Sequence, residues 1–338
     1  MKKNSDTGYF VISPQHEHVV VEKAHFCTWN LKHGPEFLEI GMLIRLKEGF
    51  KADHAGGQSF PRLEFKVHIP WYDGQLLSGD LFPSLKNPEN ARFVFNEQVA
   101  GTEFISGGGS TPRGVLFSFG DKQRFCLLPL TLRRDCDTPN TISAEVSFPQ
   151  ASNDFERVGE RIYFRFFVKS NGRSIPWEHG GIAKTVFCYD IKVNEPRNAP
   201  DKFPLEQMVD IRSCYCLHIV PSAFECALQD RAAFKSIRTL ESSGAVTYTK
   251  DLPGISATIE PGDCLVVFNK LKHEDNQNLP FSFFTLFSKE RIGPSQLALA
   301  IGANIVCSLF SGWWRLAAFV LFSAVMFVAW FRSGHGHR

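Results

Sequence analysis

Aromatic and basic residues stand side by side at several points of this sequence, and together they are the side chains that bind nucleotides. A base stacks on an aromatic ring, and an arginine binds phosphate through paired N–H donors. Because the chain has 32 Phe residues, such neighbours also arise by chance. Adjacent residues of a strand also point to opposite faces, so a neighbouring pair need not act on one ligand. With that alternative left open, the candidate ligand-binding residues are Trp71, Tyr72, Arg92, Arg124 and Arg165.

Two further motifs have the residue types of a metal site and of a phosphate-binding loop. His16 and His18, with Glu22, could hold a metal ion if they alternated on one strand face. The further histidine ligand that would be expected after the turn at Gly262 is missing, because no histidine at a suitable spacing follows it. We therefore interpret His16 and His18 as exposed histidines without a metal ion. The glycine-rich residues 106–112 lack the lysine and the following helix of a P-loop, which favours a hairpin loop. We predict no metal ion and no cofactor.

The sequence contains no motif typical of a nucleophilic enzyme. It has neither a Gly-x-Ser-x-Gly elbow nor a His-Glu-x-x-His pair. We therefore predict a protein without catalytic residues. Because a triad can assemble from distant residues, a hydrolase acting on lipid or nucleotide stays an alternative. The net charge of +2 gives no case for nucleic-acid binding by bulk electrostatics, and the nine cysteines lack zinc-site spacing.

The elements that would position these residues are mostly strands. Short runs of alternating apolar residues, bounded by Gly, Pro, Asn and Asp, predict a mainly β, sandwich-like or barrel-like region. The predicted strands cover residues 9–12, 36–47, 62–69, 91–95, 115–119, 124–132, 141–148, 161–168, 185–193, 214–220, 246–250 and 264–270. We predict one β-rich domain over 1–150 and a second β-rich region over 151–288. Within the second, a capping box of Ser222 and Glu225 predicts a helix over 223–240.

The C-terminal part of the chain is uncharged over residues 292–314 and again over 316–331. A membrane-spanning helix needs about 20 mostly apolar residues. We therefore predict a C-terminal transmembrane helical hairpin within 292–332, with helices at 295–312 and 314–331. One spanning helix beside an interfacial one is the alternative. A stripe of small and polar residues predicts a helix interface or a pore lining, formed by Ala300, Asn304, Cys307, Ser308, Ser311 and Arg315.

The ends of the predicted hairpin indicate an orientation. The two ends of a hairpin lie on the same side of the membrane, and basic residues flank both ends here. The positive-inside rule places that side in the cytoplasm. Residues 1–6 do not begin an apolar secretory signal. We therefore expect the cytoplasmic (inner) membrane as the location, with membrane lipid as a partner and the N-terminal region in the cytoplasm.

This order of parts, a β-rich region followed by uncharged runs around Asn304 and Arg315, resembles the membrane effectors of bacterial anti-phage defence systems. The resemblance is architectural, without motifs matched residue by residue. It implies a homo-oligomer, a nucleotide or short oligonucleotide ligand, and a ligand-gated pore or channel controlled by a β-rich sensor. The alternative is a tail-anchored scaffold or protein-interaction module without channel activity.

Overall fold

The computed structural model describes most of the chain before residue 291. The described residues are 7–32, 34–48, 50, 62–106, 112–120, 123–149, 156–170, 175–180, 184–201, 203–255, 258–273, 279–290 and the single positions Ile301, Gly302, Asn304, Ser308, Gly312 and Val320.

Strands dominate the described chain, as the alternating apolar pattern predicts. In chain order they are β1 (Gly8–Ile12), β2 (Val19–Trp29), β3 (Phe37–Leu46), β4 (Leu63–His68), β5 (Ser78–Asp80), β6 (Val99–Ser106), β7 (Pro112–Phe119), β8 (Arg124–Leu127), β9 (Leu130–Arg134), β10 (Thr141–Val146), β11 (Arg161–Lys169), β12 (Trp177–Gly180), β13 (Lys184–Val193), β14 (Ser213–Pro221), β15 (Glu225–Gln229), β16 (Phe234–Thr239), β17 (Cys264–Lys272) and β18 (Phe281–Glu290). The named α-helices are α1 (Phe82–Leu85), α2 (Pro88–Phe95) and α3 (Ser242–Lys250).

The chain divides into two compact units. The larger comprises residues 1–175, 189–223 and 229–285, and the smaller comprises 176–188, 224–228 and 286–338. Within the larger unit, one sheet has the strand order β13-β1-β4-β10-β9. The other has the order β16-β17-β14-β2-β3-β11-β8-β7-β6, with β5 also paired to β11.

The two sheets of the larger unit pack face to face around an apolar core, as in a β-sandwich. Phe65 of β4 and Phe164 of β11 meet across that core with ring centroids 5.2 Å apart. The opposite face of the longer sheet is covered in part by α2 and α3, where Trp29 and Tyr248 are buried. The longer sheet is therefore buried on both faces over much of its width, and both faces carry mainly apolar side chains.

The smaller unit contains β12, which pairs antiparallel with the first half of β13. Phe187 stacks on Phe224 with ring centroids 4.5 Å apart, and the hydroxyl of Ser288 donates to Glu225 at 3.4 Å. Trp177 of β12 is 69% exposed.

The predicted helix over 223–240 is wrong, because these residues form β15 and β16. β16 pairs antiparallel with β17, and the amide of Ser222 donates to the carbonyl of Asp263 instead of starting a helix. The predicted strands 91–95 and 246–250 are also wrong, because they belong to α2 and α3. Asn87 caps α2 by accepting from the amide of Glu89 at 3.0 Å, a start signal that the local apolar pattern obscures.

The fold class predicted from the sequence is wrong in its C-terminal part. The longest named helix of the described chain has nine residues, and within the described positions no helix has the length and apolar character to cross a membrane. The predicted transmembrane hairpin is therefore wrong, and so are the membrane and ion-channel assignments that depended on it. Most of 292–332 lies outside the described residues.

Candidate ligand-binding cleft

Five strands of the longer sheet place one residue each in a continuous row. Directly opposite partners run from Lys270 on β17 through Tyr215 on β14, His25 on β2 and Gly41 on β3 to Arg165 on β11. Because opposite residues in a sheet share a face, the side chains of this row lie on one surface. It is the surface that faces α2 and α3 rather than the core between the sheets. The row therefore brings aromatic, imidazole and cationic groups together from distant parts of the sequence.

The glycine in this row leaves room for a tyrosine from the next strand. A Cβ added at Gly41 would overlap the hydroxyl of Tyr163. That hydroxyl lies 3.2 Å from Nδ1 of His25, and Nη1 of Arg165 donates to it at 3.3 Å. Since Arg165 is the donor in the second bond, the tyrosine proton is available to His25. Gly41 thus allows Tyr163 to reach across β3 and connect Arg165 to His25.

Arg165 is held by a buried carboxylate. Glu39 is 0% exposed and Arg165 is 6% exposed. Both Nε, at 2.8 Å, and Nη2 of Arg165 donate to Oε2 of Glu39. Burial opposes the charge of Arg165, but the Glu39 carboxylate, together with Tyr163, Tyr248 and Cys27, outweighs it and holds the pKa of the guanidinium well above its ordinary value. Arg165 therefore keeps its positive charge, which the Glu39 carboxylate compensates, and the guanidinium positions its neighbours.

His25 is neutral in this environment. Burial, followed by the charge of Arg165, lowers the pKa of His25 well below its ordinary value. Its ring also meets the edge of Tyr215, with centroids 5.0 Å apart. A neutral imidazole has one donor and one acceptor nitrogen, and Nδ1 here is set to accept from Tyr163. Nε2 then carries the proton, which makes the ring a fixed hydrogen-bond donor at the floor of the cleft.

An aromatic cleft of about 510 Å³ opens over this row. On one side Tyr215 stacks on Phe268 with centroids 5.8 Å apart and planes 11° apart. The ammonium group of Lys270 lies 5.0 Å from the centre of the Tyr215 ring, a cation–π contact. On the other side the rings of Phe95, Phe119, Phe125 and Tyr163 line the cleft. The cleft thus offers flat apolar walls to a planar ligand.

The mouth of the aromatic cleft carries charged and amide groups. Nζ of Lys23 donates to the side chain of Gln123 at 3.3 Å, and Nη1 of Arg238 donates to Oδ1 of Asn96 at 2.7 Å. Glu97 also lines the cleft. Because the charge of Arg165 is compensated by Glu39, the two cations Lys23 and Arg238 face one carboxylate. The mouth therefore has a small excess of positive charge.

A second cavity, of about 520 Å³, lies beside α2 and α3 and also reaches Arg165. Trp29 and Glu39 line this cavity, and Tyr248 is buried in the same apolar cluster as Trp29. Nε1 of Trp29, Oε1 of Glu39 and the hydroxyl of Tyr248 make no hydrogen bond of good geometry within the described chain. Burial, and next the Glu39 carboxylate, raises the pKa of Tyr248 well above its ordinary value. The Tyr248 hydroxyl therefore stays uncharged, and these groups form a polar interior edge of the site.

The sequence-predicted ligand residues lie in different places. Arg165 lies under the aromatic cleft, whereas Arg92 borders the second cavity and Arg124 borders a third. Trp71 and Tyr72 belong to the core between the sheets, where Nε1 of Trp71 donates to the hydroxyl of Tyr9 at 3.1 Å. The five candidates therefore do not form one site, and Trp71 and Tyr72 have a structural role.

Most of the six residues predicted to line a pore or helix interface lie outside the described residues. Asn304 and Ser308 are exposed helical positions. The other four, Ala300, Cys307, Ser311 and Arg315, lie outside the described residues.

Sequence reasoning missed the groups that form the cleft, chiefly His25, Tyr163, Tyr215, Phe268 and Lys270. Strands 214–220 and 264–270 were predicted. The alternation of side chains along each strand could have assigned Tyr215 and Phe268 to one face of their own strands. The strand β2 was not predicted. The register that aligns β2 with β14 depends on pairing across about 190 positions, and no local signal encodes it.

One buried pair has the residue types of a nucleophile and its base. Sγ of Cys216 lies 3.5 Å from Nε2 of His218, and Nδ1 of His218 lies 2.9 Å from the hydroxyl of Thr28. Burial raises the pKa of the Cys216 thiol well above its ordinary value and lowers that of His218 to about 3. A reactive cysteine needs the opposite shift and access to substrate. The pair is therefore an inert part of the core.

The histidine motif near the N-terminus does not assemble a metal site. Residues His16–His18 form a turn of 3-10 helix, so the two histidines do not alternate on a strand. Glu22 instead pairs with Arg45 and Arg161. Within the described ranges no group of three or more His, Cys, Asp or Glu side chains is placed to hold a metal ion.

Comparison with known families and proteins gives no independent guide to this cleft. The chain matches no protein-family model and no curated protein.

Proposed function

We propose that the larger unit is a sensor module that binds a nucleotide or short oligonucleotide, with a base held in the aromatic cleft. The observation that carries this proposal is the stack of Tyr215 on Phe268 with Lys270 over the tyrosine ring. Every base presents a flat π-face, and stacking on an aromatic side chain contributes about 1–3 kcal/mol per base. The cation–π contact holds Tyr215 in place at the side of the cleft.

The polar groups of the cleft suit the edge of a base. The neutral His25 ring presents a fixed donor, because Tyr163 occupies its other nitrogen. The side chain of Gln123 supplies a further amide at the mouth, beside Lys23. A ligand with both donors and acceptors around a planar ring, as every nucleobase has, can satisfy these groups together. A purely aliphatic ligand would leave them without partners, which costs affinity.

The anti-phage role implied by the architectural resemblance depended on the transmembrane hairpin. Ligand sensing depends only on the larger unit.

The test is binding of nucleosides and nucleotides to the full chain, measured by isothermal titration calorimetry. We expect at least one nucleoside to bind, and Tyr215→Leu to weaken that binding by roughly 5- to 100-fold, because it removes the stacking surface. Phe104→Leu is the matched control, since Phe104 is an aromatic residue on β6 that is 49% exposed and does not line the cleft. Equal affinities for the wild type and Tyr215→Leu would refute the proposal.

A second candidate function, a protein-interaction module, is favoured by one observation in the smaller unit. All four residues of β12 are exposed, and Trp177 stacks beside His179 with centroids 6.0 Å apart. Aromatic residues are enriched at protein interfaces, and an exposed strand offers backbone groups for pairing. With a second copy of the chain as the partner, Trp177→Ala would shift the protein toward monomer in light scattering after size exclusion. An unchanged mass would remove this candidate.

A further inference from the structure

Four arginines border one open cavity of about 720 Å³ in the larger unit. They are Arg45 on β3, Arg124 on β8, Arg157 just before β11 and Arg161 at its start. Their side chains are between 38% and 60% exposed. None of them takes part in the network around Glu39. The cavity is thus a separate concentration of guanidinium groups that solvent reaches.

Each of two carboxylates holds two of these arginines. Nη2 of Arg161 donates to Oε1 of Glu22 at 3.3 Å, Nε of Arg161 lies 3.0 Å from Oε2 of Glu22, and Glu22 also pairs with Arg45. Strand β2 shifts register at Glu22, and such a bulge re-aims a side chain. Glu103 pairs with Arg124 at 3.5 Å and with Arg157. One carboxylate for two guanidinium groups fixes their positions without neutralising both.

The pairing with these carboxylates leaves guanidinium donors open to an anion. Arg45 and Arg161 are directly opposite each other on antiparallel strands, where Glu22 offsets the repulsion between their like charges. Each guanidinium has five N–H donors, and most of those on Arg45, Arg124 and Arg161 make no hydrogen bond within the described chain. The planar fork of arginine matches two oxygens of a phosphate. Several preset forks around one cavity are therefore suited to a group with several phosphate oxygens.

We infer that this four-arginine cavity binds the phosphate groups of a nucleotide or short oligonucleotide. The side chain of Phe125 lines both this cavity and the aromatic cleft, so one ligand can place its base in the cleft and its phosphates among the arginines. Glu156 and Glu160 also border the cavity, so that with Glu22 and Glu103 four carboxylates balance the formal charge of the four arginines. Selection therefore depends on the geometry of the guanidinium groups, which favours phosphate over an anion of lesser charge and fewer oxygens. The nucleoside part of this assignment rests on the proposed function, whereas phosphate binding does not.

Inorganic tripolyphosphate is the probe, because it contains the phosphates without a base. Titrated into the full chain at low ionic strength, it is expected to bind the wild type. Arg124→Gln/Arg157→Gln should weaken it by roughly 100-fold, about tenfold for each charge-assisted contact. The matched control, Arg113→Gln/Arg133→Gln, removes two exposed arginines that do not border the cavity and should bind as the wild type does. Absence of binding to the wild type, or equal loss in both double variants, would overturn the inference. So would equally tight binding of sulfate.

A third variant keeps the inference testable if the double variant fails to fold. Glu103→Gln removes the carboxylate that competes with the ligand for Arg124 and Arg157, and Glu103 is itself half exposed. We expect tripolyphosphate to bind this variant several-fold more tightly than the wild type. A purely structural role for the four arginines predicts no gain in affinity, and an unchanged or weaker affinity would contradict the inference. A nucleoside titration distinguishes the two proposals. If the nucleoside binds and tripolyphosphate does not, the cavity fails, and the reverse result removes the aromatic cleft.

Discussion

Removing the buried carboxylate of Glu39 should be among the most damaging single changes to the larger unit. Glu39→Gln keeps the size of the side chain but leaves the charge of Arg165, itself 6% exposed, without its counter-ion. Breaking one partner of such a pair costs about 3–5 kcal/mol, because the remaining charge is buried and uncompensated. The amide can still accept one hydrogen bond from the guanidinium, so the lower end of that range, about 3 kcal/mol, is the expected loss of unfolding free energy.

The assay is urea unfolding followed by tryptophan fluorescence, with two comparisons. Glu39→Leu/Arg165→Met replaces both charges by apolar groups of similar size and should unfold within about 1–2 kcal/mol of the wild type, since an apolar pair avoids desolvating the charges. The surface pair of Arg62 and Glu145, 3.8 Å apart, is the control, and Glu145→Gln should change stability by less than about 1 kcal/mol. A loss below about 1 kcal/mol for Glu39→Gln would refute the account of Arg165 as a buried charge held by Glu39.

Two further changes test the packing and the titration of the larger unit. Gly41→Ala should destabilise by about 1–3 kcal/mol, because its methyl group overlaps the Tyr163 hydroxyl, and Tyr163→Phe in the same chain should recover part of that loss in urea unfolding. His218 has a folded-state pKa of about 3, below the unfolded value of about 6.5, so its contribution is complete above pH 6.5 and is lost as the pH falls toward 3. The unfolding free energy of His218→Leu should accordingly fall with acid less steeply than that of the wild type, by about 1.4 kcal/mol per pH unit between pH 6 and 4; equal slopes would contradict the buried, neutral state of His218.

Alternation along single strands could be read from the sequence because it is a local property. Residues 141–148 were predicted from Ile142, Ala144 and Val146 on one face, and β10 buries these three side chains against the core. The mainly β character of the described chain follows from many such runs. Pairing between distant strands has no comparable local signal, so the row that aligns Lys270, Tyr215 and His25 could not be predicted.

The errors arose where a local signal competed with tertiary packing. Ser222 and Glu225 have the spacing of a capping box, but pairing of 234–239 with β17 forms strands there instead. In α3 the alternating apolar residues suggested a strand, yet Ala245, Tyr248 and Thr249 recur at helical spacing and are buried together against the sheet. Helix and strand propensities are weak compared with such burial. At the C-terminus, the length of the uncharged runs and the break near residues 311–315 supported a hairpin, and such local signals do not determine where a helix ends.

The buried ion pair has a cost in stability, which suggests what it contributes to the cleft. An apolar pair at positions 39 and 165 would avoid the desolvation of two charges, so stability alone does not explain Glu39 and Arg165. Arg165 donates to the Tyr163 hydroxyl, and that hydroxyl fixes the tautomer of His25 at the floor of the aromatic cleft. In Glu39→Leu/Arg165→Met this chain is broken while the fold is kept. The double variant should therefore unfold like the wild type yet bind nucleoside several-fold more weakly, and wild-type affinity in that variant would show that the ion pair does not position His25 for the ligand.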